Sequence, residues 1–154
     1  MATTLSERDW QVRLHIYRHF VGNACPPTTA ETAQALGISE DEAREAYQRL
    51  DRKHLILLEP GTTDVRIANP FSGVPTPHRV TANGRLYYAN CAFDALGIPA
   101  ILGSDATIES TFTNRTGAGT PAHLEIRDGS LHANDGVVHF PIPFREWYDD
   151  QIHT

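Results

Sequence analysis

Tyr87-Tyr88-Ala89-Asn90-Cys91-Ala92-Phe93-Asp94-Ala95-Leu96-Gly97-Ile98-Pro99-Ala100 is the stretch on which the fold turns. A short helix is predicted over residues 87–96, inside a region that otherwise reads as strands. Cys91 and Asp94 then fall on one helical face, because residues three apart are neighbours there. With Asn90 or a neighbour as the cap, Cys91 sits in the first turn. Backbone N–H groups and the helix dipole favour a thiolate at that place. An ionised Asp94 opposes this, so its carboxyl is expected to titrate high or to share a proton with the thiol. A lone Cys is more commonly a small buried hydrophobe, and spacing by itself leaves that alternative open.

Downstream, residues 107–112 alternate, with Ile108, Ser110 and Phe112 on one face. Residues 122–126 alternate too and run into a turn at 127–130. A further strand is predicted over 137–140 and a final helix over 145–150. Upstream lies a turn-rich connector, Asn69-Pro70-Phe71-Ser72-Gly73-Val74-Pro75-Thr76-Pro77, with apolar residues that should pack rather than float.

The N-terminal part predicts three helices. The first carries an apolar stripe of Trp10, Leu14, Tyr17 and Val21, widened by Ile16 and Phe20, and ends before Pro26-Pro27. The second starts at Thr28 with Glu31 as a capping box and stops at Gly37. The third starts at Ser39, boxed by Glu42, with Ala43, Ala46, Tyr47 and Leu50 on one side. Strands at 55–58 and 65–67 flank a turn. Helix, Gly turn, helix and hairpin make a winged-helix-like domain over residues 1–68. A Pro-rich connector follows over 69–79, and a mixed, mainly antiparallel sheet domain over 80–154. The fold class is α/β in the loose sense, α+β in the strict one.

Composition narrows the partners. The net charge of −6 gives no broad basic face for nucleic acid. The third helix, which would enter a groove, carries Glu40, Asp41, Glu42 and Glu45 against Arg44, Arg49, Arg52 and Lys53. DNA is therefore not an expected partner, and a packing or dimerisation role is preferred. No apolar run is long enough to span a bilayer and no signal-peptide core opens the chain, so a cytoplasmic protein is expected. Cys25 and Cys91 are then free thiols. The eight histidines are not expected to hold a zinc ion, and no C-x-x-C or nucleophile-elbow Ser is present.

The run from Tyr88 through Asp94 and Leu96, followed by Ile98-Pro99-Ala100-Ile101-Leu102-Gly103, resembles the active-site helix of the organomercurial lyases (alkylmercury lyases). There a C-A-x-D-x-L core is followed by a P-A-x-x-G stretch and a strand. The resemblance extends over nearly the whole plan of the chain. It implies carbon–mercury cleavage by protonolysis, with Cys91 as the thiolate that takes mercury and Asp94 as the proton donor and transient mercury ligand. It implies no organic cofactor, an organomercurial substrate, and thiol carriers that accept Hg(II).

The chain departs from that pattern at two places. Phe112 stands where some members carry a structural Cys. The second catalytic Cys, which belongs after the last strand, is absent between Phe144 and Thr154. The chain is accordingly expected to be a C-terminally incomplete form of the catalytic domain. The alternatives are a weakly active or inactive homologue that binds soft metals or thiols, and a winged-helix metal-responsive regulator. Cys25 is read as a loop thiol.

Overall fold

The computed structural model describes residues 4–113, 117–132, 136–140 and 142–149. Its internal contacts divide the chain into two compact units, Met1–Ala68 and Asn69–Thr154. Among the described residues no helix is long and apolar enough to cross a membrane.

The first unit holds α1 (Glu7–Asn23), α2 (Thr29–Leu36) and α3 (Glu40–Arg52), then an antiparallel pair, β1 (Leu57–Leu58) and β2 (Val65–Ala68). Each helix starts at a reciprocal capping box: Ser6 with Asp9, Thr28 with Glu31, and Ser39 with Glu42. Such boxes satisfy amide donors that the first turn leaves without partners. The core takes Val12, Ile16 and Phe20 from α1 and Ala43, Ala46, Tyr47 and Leu50 from α3. The buried Tyr47 hydroxyl donates to the Pro27 carbonyl at 3.2 Å and bonds Thr32 Oγ1 at 2.8 Å.

The face that α1 buries differs from the expected stripe. Trp10 and Leu14 are each 49% exposed, whereas Val12, Ile16 and Phe20 are sealed. Both sets have helical spacing, so periodicity could not choose between them. Asp9 decides the matter: its carboxylate is buried and meets Arg49 of α3 at 2.9 Å, which turns the 9/12/16/20 face inward. Trp10 and Tyr17 instead carry the Arg13 guanidinium over their rings.

The second unit contains β3 (Phe71–Ser72), β4 (His78–Ala82), β5 (Arg85–Ala89), α4 (Ala92–Leu102), β6 (Ala106–Thr113), β7 (Gly119–Arg127) and β8 (Ser130–His132). The strands lie in the order β3-β5-β4-β6-β7-β8, every neighbouring pair antiparallel. Val80, Tyr87, Ala89, Ile108 and Ala122 are buried on the sheet, and α4 packs on β4, β5 and β6 with Ala95 and Ile98 buried. The turn-rich stretch after Ala68 contains β3, and its Phe71 is fully buried against Tyr87.

Three expectations need correction here. The helix placed at 87–96 begins only at Ala92 and runs on to Leu102, with Pro99 inside it. Asn83 and Gly84 both take positive φ, 51° and 71°, the geometry of a two-residue hairpin turn. That turn folds 85–89 back on β4 as a strand, so Tyr87 and Ala89 alternate inward instead of following a helical period. The strand expected at 137–140 is irregular, with Val137 89% exposed. The final helix is a 3-10 helix, Phe144–Asp149, and Asp150 lies outside the described residues.

Candidate active site

The site grows from the junction of β5 and α4. Thr76 Oγ1 donates to the Ala89 carbonyl at 2.6 Å, which ties the end of β5 to the segment entering β4. Two residues later Cys91 is extended, with φ −143° and ψ 176°, and is itself the N-cap of α4. This corrects the expectation that Asn90 or a neighbour would cap and Cys91 would lie inside the first turn: Cys91 is the cap. The sulfur accepts the Asp94 amide at 3.5 Å, and the Phe93 amide also points to it. The thiol in turn donates to Asp94 Oδ2 at 3.4 Å. One half-buried turn therefore holds a soft nucleophile, a proton acceptor in contact with it, and two amide donors aimed at the sulfur.

The electrostatics of the pair follow from burial. Burial pushes the Cys91 thiol up to about 11; the Asp94 amide works against this, and the negative Asp94 carboxylate adds to it. The helix dipole alone would have predicted the opposite direction. Burial also raises Asp94, with its bonds to Cys91 opposing. At neutral pH the proton thus rests on the sulfur, with a carboxyl beside it whose own affinity for protons is heightened.

A chemical consequence can be measured against Cys25, which is exposed in the other unit. Iodoacetamide reacts with thiolates, so at pH 8 Cys25 should be alkylated first and Cys91 should lag far behind. Removing the negative charge with Asp94→Asn lowers the Cys91 thiol and should speed its alkylation several-fold. Peptide mass mapping reads both sites, and equal rates at Cys91 and Cys25 would show that the thiol is not suppressed.

Other residues flank the pair. Phe93 is 53% exposed, its ring edge-on to Phe140 at 5.4 Å, and Phe140 lies 5.2 Å from Trp147. Gly136 lies so close to β6 that a Cβ there would collide with the Phe112 ring. His78 pairs in register with Ala89 and shares a 2.7 Å hydrogen bond with Ser110 Oγ; burial lowers its pKa. It is half-buried. His153 lies outside the described residues. Tyr87 is a core residue.

His15 and His19 stand four apart on α1, the one H-x-x-x-H spacing in the sequence, with ring centroids 6.1 Å apart. His19 Nδ1 donates to the Cys25 carbonyl at 2.9 Å. Among the described residues no three His, Cys, Asp or Glu side chains are grouped to hold a metal ion.

A thiol capping a helix, its proton shared with a carboxyl one turn on, and an antiparallel sheet beneath define a thiol–acid α+β protein. The chain belongs to the alkylmercury lyase family: residues 71–154 match the family's model, described as MerB, alkylmercury lyase. A curated alkylmercury lyase of Streptomyces lividans is 34% identical over 140 residues, which cover 83% of this chain and 60% of that protein. One from Bacillus cereus is 49% identical over 73 residues, 46% of this chain and 32% of the relative. The chain thus spans about 60% or less of the length of these relatives. The crystal structure of the mercury-bound form of MerB2 superposes with a TM-score of 0.67 at 22% identity, over 84% of this chain and 61% of that one. At that identity the likeness establishes the mixed α/β fold with its antiparallel sheet.

Proposed function

We propose that the Cys91–Asp94 turn cleaves carbon–mercury bonds by protonolysis. The observation that carries this is the 3.4 Å thiol-to-carboxylate contact at a helix N-terminus in a member of the alkylmercury lyase family. An organomercurial R–Hg–X meets the Cys91 thiol, sulfur bonds mercury, X leaves as an anion, and Asp94 takes the thiol proton. Mercury favours sulfur strongly, which drives this step despite the raised thiol. The carbon–mercury electron pair then takes the proton back from Asp94 as a new carbon–hydrogen bond. Hydrocarbon departs, and Hg(II) stays on Cys91 and the freed Asp94 carboxylate until another thiol removes it. The proton leaves sulfur and ends on carbon, and no organic cofactor enters.

The N-terminal unit is read as a winged-helix-like packing module and not as a DNA reader. Arg44 is engaged by Glu40 at 3.0 Å and Asp41 at 2.8 Å, and Arg49 by Asp9 and Glu45. Two of the α3 cations that DNA binding would need for phosphate are therefore already neutralised on α3 itself or against α1. A catalytically weak or inactive homologue that binds mercury is the competing reading, favoured by the single thiol among residues 69–154. The discriminating experiment incubates the protein with phenylmercury and excess thiol and measures benzene. Release no faster than in a protein-free control would leave the binding reading standing and remove the lyase one.

A further inference from the structure

We infer that Phe93, Phe140 and Trp147 form an aromatic wall beside the Cys91–Asp94 pair that receives the organic group of the mercurial and favours aryl over methyl groups. The inference rests on the mercury-binding site proposed above and adds to it the chemistry of the group that mercury carries.

The second unit seals Phe71 and Tyr87 in its core, at 0% and 1% exposed, and leaves Phe112 and Tyr148 partly exposed. Phe93 and Phe140 are left 53% and 43% exposed, yet they are not scattered. Phe93 lies within the Cys91–Asp94 turn, its own amide directed at the sulfur. Its ring meets Phe140 at 71°, and Phe140 meets Trp147 at 33°. Trp147 is oriented by its Nε1–H, which donates to the Ile142 carbonyl at 2.9 Å. A contiguous exposed apolar surface of this kind marks a place where something apolar binds. Phe93 stands in the first turn of α4 between Cys91 and Asp94, and that proximity makes the substituent of a sulfur-bound mercurial the occupant. An aryl ring can make offset and edge contacts with such a wall beyond the area it buries, and a methyl group cannot.

The test uses the full chain with Cys25→Ser, so that only Cys91 binds mercury, and with Asp94→Asn, so that the organic group stays on the metal. Phenylmercury and methylmercury are each partitioned between the protein and free cysteine, and the protein adduct is quantified by intact mass spectrometry. Adding Phe93→Ala should lower the phenyl-to-methyl affinity ratio by about three- to tenfold, with Phe140→Ala acting in the same direction. An unchanged ratio, or equal losses for both mercurials, overturns the wall. The outcome is independent of turnover. A wild type that releases no benzene while the ratio still falls would end the lyase proposal and keep this one.

Discussion

Asp94→Asn should still allow phenylmercury capture by Cys91, the thiol proton then passing to solvent, and slow benzene release by about a hundred- to ten-thousand-fold, the usual contribution of a positioned proton donor. The carboxyl both receives the thiol proton and returns it to carbon, and an amide can do neither. With Cys25→Ser as the shared background, so that the exposed second thiol takes no mercury, Cys91→Ser should abolish both capture and release, because a hydroxyl oxygen is a poor ligand for a soft metal. The two variants thus separate along the reaction: one stalls as a mercurated protein, the other never forms it. Intact mass spectrometry reads the adduct and gas chromatography reads the hydrocarbon. Wild-type benzene release from the Asn variant would assign the proton to another donor.

The second large effect lies far from the thiol in sequence. Asp9→Ala should destabilise the N-terminal unit by about 2–4 kcal/mol, the range for removing one partner of a buried ion pair together with a helix cap. Asp9 is 1% exposed and serves three groups: the Ser6 amide and hydroxyl, each at 2.8 Å, and Arg49 at 2.9 Å. Burial alone would raise its pKa, but the Ser6 bonds and Arg49 outweigh it, and the carboxyl titrates below the usual range. A carboxyl lowered by folding stabilises the fold above its unfolded value and loses that contribution as pH falls through the lowered one. The gap between wild type and variant should therefore be full at pH 7 and close under acid. Urea unfolding at both pH values measures it, and a difference below about 1 kcal/mol at pH 7 would mean that the pair is not a keystone.

Much of the local architecture was legible because it is written in short-range chemistry. The Thr28–Glu31 and Ser39–Glu42 boxes announce α2 and α3, and the 43/46/47/50 pattern on α3 has only one apolar face to bury. The inward face of α1 was not legible, since two apolar stripes share the helix and a contact forty positions away, Asp9 to Arg49, chooses between them. The start of α4 was missed because the positive-φ pair Asn83-Gly84 signals a hairpin, and that signal outweighs the helical look of the residues after it. Within the site, the Cys91–Asp94 contact was readable from spacing. The raised thiol was not, because burial depends on what packs over it. Phe140 and Trp147 approach Phe93 through tertiary structure alone and left no mark in the sequence pattern.

Cys91 performs a structural duty that a different residue would perform better. Oxygen side chains are strong N-caps, and the 3.5 Å bond from the Asp94 amide to sulfur is long. Cys91→Ser should therefore melt later than the wild type, by about 0.5–1 kcal/mol in unfolding free energy, while losing the thiol proposed to take mercury. A thiol kept at this position leaves the helix short of its attainable steadiness. Screening for thermostability alone would drive the protein toward serine and silence it.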